Sequence, residues 1–138
     1  MKRSIATRAK AGTFAAALLV SGVGLGLGLA TGSPASAATC YGGAVQFTKL
    51  IDHTVSQMFT TSSACQDINL KITNSPSDST REVKVCFYRS DNTLNYCQAS
   101  FRLATLDRWA VIATDVNDNV KYRYAFESSR SVTAYTAD

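Results

Sequence analysis

Between residues 44 and 135 apolar and polar side chains alternate in short runs. Ile68, Leu70 and Ile72 share one face against Asn69, Lys71 and Thr73, and Val83, Val85 and Phe87 share one against Lys84 and Cys86. Val120, Tyr122, Tyr124 and Phe126 alternate with Lys121, Arg123, Ala125 and Glu127. A period of two places successive side chains on opposite faces of a strand. Weaker runs at 44–48, 57–60, 95–103 and 131–135, with the apolar stretch Trp109–Ala113, bring the expected total to seven or eight strands, rich in Val, Ile, Thr, Tyr and Phe. No segment beyond residue 37 keeps a helical period. Residues 74–79 read as a loop, and Asp91-Asn92 and Asn117-Asp118 as hairpin turns. The pattern predicts an all-β fold, a small antiparallel sandwich of immunoglobulin-like or similar kind.

The first residues follow a different rule. Lys2, Arg3, Arg8 and Lys10 make a basic start, 13–30 is free of charge, and Ala35-Ser36-Ala37 ends the stretch with small residues. That order defines a secretory signal peptide over 1–37 rather than a membrane anchor, leaving 38–138 as a single exported domain. It also changes the meaning of the charge. Four of the fourteen Lys and Arg residues lie in this leader and all ten acidic residues follow it, so the remainder balances ten against ten. The expected exported domain therefore lacks the basic excess that would point to nucleic acid or an anionic membrane.

All four cysteines, Cys40, Cys65, Cys86 and Cys97, fall in that domain. An even count in a small exported chain predicts two disulfides. A hairpin centred between Asp91 and Asn92 sets Cys86 opposite Cys97, within disulfide reach, and leaves Cys40 for Cys65. In that register Lys84 faces Ala99 and Val85 faces Gln98, which mismatches the apolar faces, so a β-bulge near Cys97 is expected.

Candidate chemistry is sparse. The one histidine, His53, follows Asp52. Neighbours on an extended segment point apart, so Asp52 is poorly placed to orient it, and no nucleophile elbow accompanies them. Asp107, Asp115 and Asp118 could supply paired carboxylates, but Asp115 and Asp118 flank a turn, and turn chemistry explains those two better. Without C-x-x-C spacing or a second histidine no zinc site is expected, and Asp115-x-x-Asp118 is only a fragment of a calcium loop. Gly42-Gly43 reads as a turn or flexible link. Neither cofactor nor enzymatic activity is expected. Tyr122 and Tyr124 share their face with Val120 and Phe126, away from Lys121 and Arg123, and read as core; so does Trp109. Leu50, Ile51, His53, Val55 and Met58 sit in a stretch that does not alternate, inside the Cys40–Cys65 loop. Apolar side chains there suit a partner-binding surface, although capping the core is the default for such residues.

Three blocks, 39–47, 83–87 and 109–114, resemble small secreted proteins of Streptomyces and related actinobacteria. Small exported four-cysteine β proteins of such bacteria include protease inhibitors and adaptor subunits of secreted antibacterial particles of the umbrella-toxin kind. The resemblance implies an extracellular setting and brings no site residues. The expected function is a secreted, non-enzymatic module that binds another extracellular protein, with the Cys40–Cys65 loop or 74–79 as an inhibitory loop in one alternative. In another, exposed aromatics bind cell-wall or other glycan.

Overall fold

The computed structural model describes residues 35–138. The leader expected over 1–37 lies outside them apart from Ala35, Ser36 and Ala37, which open a short helix, α1 (Ala35–Gly42). This helix was not anticipated: eight residues with no apolar stripe give no periodic signal. Nine strands follow: β1 (Val45–Lys49), β2 (Phe59–Thr60), β3 (Ile68–Asn74), β4 (Thr80–Tyr88), β5 (Leu94–Cys97), β6 (Arg102–Thr105), β7 (Trp109–Ala113), β8 (Lys121–Phe126) and β9 (Val132–Ala137). They form two antiparallel sheets, one in the order β1-β9-β3-β7 and one in the order β2-β8-β4-β5 with β6 also paired to β4.

The alternating runs do what their pattern requires. Ile68, Leu70, Ile72, Phe47, Ile112 and Val132 of the first sheet meet Val83, Val85, Phe87, Tyr122, Tyr124 and Phe126 of the second in one core. Burying an aliphatic or aromatic side chain there stabilises the fold by roughly 1.5–3 kcal/mol each. The two core tyrosines also carry polar ends across the sandwich. Tyr124 Oη donates to the Asn69 carbonyl at 2.9 Å and lies 2.8 Å from Thr136 Oγ1. Tyr122 Oη lies 2.7 Å from Thr136 Oγ1 and donates to Asp138 Oδ2. Each hydroxyl of the second sheet thus has a partner on or beside the first, as buried phenols require. Burial is the main force raising both phenol pKa values far above their ordinary range.

Both disulfides pair as geometry demanded, Cys40 with Cys65 and Cys86 with Cys97. The hairpin register is subtler than expected. The turn is centred on Asp91: Arg89 N donates to the Thr93 carbonyl at 2.9 Å, and Asn92 takes a positive φ of 68°. One extra residue, Asn95, then shifts the register between Tyr88↔Leu94 and Phe87↔Tyr96, which restores Cys86 opposite Cys97. The expected irregularity exists, displaced two residues from Cys97 toward the turn.

Three expectations need correction. The run 95–103 is not one strand. At Gln98 the side chain takes the place of the backbone: its Oε1 accepts from Val85 N at 2.8 Å while its Nε2 donates to the Ile112 carbonyl at 2.9 Å. The main chain leaves the ladder there and rejoins β4 as β6, with Val83 opposite Arg102, so Lys84 never faces Ala99. The turn at Asn117-Asp118 is no hairpin either, because β7 and β8 belong to different sheets and the segment crosses between them. Trp109 is only half-buried. It pairs with Lys71, on the opposite face of β7 from buried Ile112, and packs on Tyr41 of α1 at 4.7 Å. Asp115 holds a positive φ of 53°, in keeping with its reading as a turn residue, and Asp107, between β6 and β7, holds one of 59°.

Candidate interaction surface

β1 alternates inward and outward. Phe47 points in, and the same parity carries Lys49 into the sandwich, where it is 2 % exposed. A buried ammonium must be hydrogen-bonded. Lys49 Nζ donates to the carbonyls of His53 at 2.7 Å, Ser128 at 3.4 Å and Arg130, and lies 5.3 Å from the centre of the Phe126 ring. Burial, with the neighbouring Arg81 guanidinium, lowers the Lys49 pKa. These bonds tie the chain just after β1 to the loop between β8 and β9.

The segment that follows is therefore held firmly. Asp52 has φ 67°, turning the chain, and its amide donates to the Ser129 carbonyl at 2.9 Å. Phe126 N donates to the Thr54 carbonyl at 2.8 Å, and Ser56 N to the Tyr124 carbonyl at 2.9 Å. Ser56 Oγ accepts from Tyr124 N at 2.9 Å, and Val55 forms an isolated bridge with Ala125. The backbone of 50–56 is anchored on β8 while its apolar side chains face away. Leu50 is 63 % exposed, Ile51 65 % and Val55 36 %. The default that such residues cap the core fails for these three. His53 is exposed, as a loop histidine was expected to be, and Met58 is half-buried. The structure thus places Leu50, Ile51, His53 and Val55 together on one exposed turn and leaves Met58 at its base.

Sequence reasoning missed the brace beneath the turn. Strict alternation from Phe47 would have put Lys49 inside, but a lysine at a strand end reads as solvent-facing. Arg81 belongs to the same end of the sandwich and is 6 % exposed. It pairs with Asp78, which also accepts from Arg130 at 2.9 Å. The Arg81 hydrogen bond, with the charge of both guanidinium groups, holds the Asp78 carboxyl below the usual carboxylate range. A depressed folded pKa contributes stability above the unfolded value of about 3.9 and loses it as pH falls through the lower folded value. Asp78→Asn should accordingly melt below the wild type at pH 7. The gap should close as pH drops beneath the ordinary carboxylate range, in thermal melts run from pH 7 to pH 2. A gap that stays constant with pH would separate the Asp78 contribution from its charge. Glu82 behaves oppositely: a hydrogen bond with Glu127 and the like charge raise its pKa, which works the other way with pH in the variant and the wild type alike.

No family model, curated protein or solved structure matches this chain. Among the described residues no three His, Cys, Asp or Glu side chains gather as metal ligands, and no helix is long and apolar enough to cross a membrane. Two disulfides place the domain in an oxidising compartment.

Proposed function

We propose that the chain is exported and acts as a non-enzymatic protein-interaction module, an adaptor whose contact surface is the 50–55 turn. The observation that carries this is the pairing of two largely exposed aliphatic side chains, Leu50 and Ile51, with a backbone braced from beneath by buried Lys49. Exposed apolar area on a preformed turn loses little ordering entropy when a partner covers it. The two disulfides and the signal-like first 37 residues support an extracellular setting.

The test compares the tagged protein with a Leu50→Asp/Ile51→Asp double variant in affinity capture from the producing cells' culture fluid. Both substitutions lie at exposed positions, so the variant should unfold within about 0.5 kcal/mol of the wild type. Its partner should be lost, with affinity down at least roughly thirtyfold if the two side chains form the centre of the contact. A partner recovered equally by both proteins would move the contact off this turn. An inhibitor of extracellular hydrolases would use the same kind of braced, exposed loop, and it would lower activity in a protease panel where an adaptor would not.

A further inference from the structure

At the end of the sandwich away from the 50–55 turn, the two sheets part around a cleft of about 360 Å³. The separation follows from topology. The 50–55 turn lies beside Phe126, where β8 ends, and the cleft lies beside Val120, just before β8 begins. Six residues of strand span roughly 20 Å. The cleft volume sits at the lower end of the roughly 300–1,000 Å³ typical of ligand sites.

One wall is aromatic. Tyr96 is 55 % exposed, and its ring rests on the buried Phe87 ring with centroids 5.0 Å apart. The bulge at Asn95 arises immediately before it, so Asn95 lines the cleft too. The facing wall is the crossover between the sheets, which is pinned from behind. Asp115 N donates to Asp67 Oδ1 at 3.1 Å, and Val116 N donates to the Gln66 carbonyl at 2.8 Å. Gln98, at the cleft floor, spends both ends of its amide on the two sheets. The side chains of Asn95, Asp115 and Asn117 have no hydrogen-bond partner among the described residues and line the same cleft. Two amides that can each donate and accept, and one carboxylate that only accepts, are thus set around a flat ring.

A saccharide is complementary to those groups. A pyranose offers an apolar C–H face to a ring and a rim of hydroxyls that donate to a carboxylate and exchange bonds with amides. We propose that this cleft binds a neutral saccharide, one pyranose lying on Tyr96 with its hydroxyls on Asp115, Asn95 and Asn117. Asp115 is the one charged side chain of the lining, so an acidic sugar is repelled. The site is independent of the 50–55 turn, and a protein partner and a glycan can be held at opposite ends.

Isothermal titration of the intact protein with triacetylchitotriose, cellotriose and maltotriose tests this, with trigalacturonate as the acidic comparison. At least one neutral trisaccharide should bind with a dissociation constant in the millimolar range or tighter. Tyr96→Ala should weaken it at least about tenfold. Asp115→Asn should weaken the neutral sugar and reduce the exclusion of trigalacturonate, while Leu50→Asp should change neither. Because Tyr96 and Asp115 are exposed, unchanged melting temperatures check that the variants fold. The proposal is overturned if no neutral trisaccharide binds at roughly 10 mM, or if Tyr96→Ala binds as the wild type does.

Discussion

Removing both disulfides is expected to unfold the domain at 37 °C. Cys40–Cys65 closes a loop of sequence separation 25 and Cys86–Cys97 one of 11. In the chain-entropy treatment these restrict the unfolded chain by about 3.5 and about 3 kcal/mol. Their sum is comparable to the whole stability of a small domain, about 5–15 kcal/mol. The two bonds should differ in what their loss does locally. Cys86–Cys97 ties β4 to β5 beside the Asn95 bulge, at the edge of the second sheet. Cys40–Cys65 holds α1 to the loop before β3. Cys40→Ala/Cys65→Ala should therefore release the Tyr41–Trp109 contact and change the fluorescence of the single tryptophan, whereas Cys86→Ala/Cys97→Ala should leave that signal in place. Urea unfolding of the two double variants and of the reduced wild type reads all of this. A reduced protein as stable as the oxidised one would show that the core alone carries the fold.

The second large effect is expected at Lys49. Lys49→Met keeps most of the side chain's apolar stem, one atom short, but leaves the carbonyls of His53, Ser128 and Arg130 without their donor. These acceptors are only partly buried and water can reach some of them, so each costs at most roughly 1–3 kcal/mol, and the total loss should be about 2–3 kcal/mol. The loss should also be local. Hydrogen exchange at the amides of Asp52 and Phe126, which hold the 50–55 turn, should accelerate more than exchange at Tyr124, deeper along β8. Lys49→Met as stable as the wild type would mean that the turn is braced by its backbone bonds alone.

How far the sequence reveals this molecule depends on what each residue's signal encodes. Alternation at 68–72, 83–87 and 120–126 reports a buried face directly, and those side chains form the core. The cysteine pairing was legible because a short hairpin brings Cys86 and Cys97 near each other, but the register that sets them face to face needs the Asn95 bulge, since the turn is centred on Asp91. The Asn117-Asp118 connection was not: apolar runs on either side of a turn look the same whether the chain returns to its own sheet or crosses to the other. The break at Gln98 was hidden because a side-chain amide replaced a backbone carbonyl, which leaves no trace in hydrophobic pattern. At the 50–55 turn the apolar residues were visible, but their exposure depends on Lys49 folding inward and on the left-handed backbone at Asp52. Both are tertiary outcomes, set by the loops that close around them.

Placing a photoreactive group at position 50 and irradiating the protein in the producing cells' culture fluid tests the central claim most directly. The account predicts one defined cross-linked adduct from position 50, absent when the group is placed instead at position 94, an exposed leucine on β5 beside the opposite end of β8. No adduct from position 50, or equal adducts from both positions, would contradict a partner seated on the 50–55 turn.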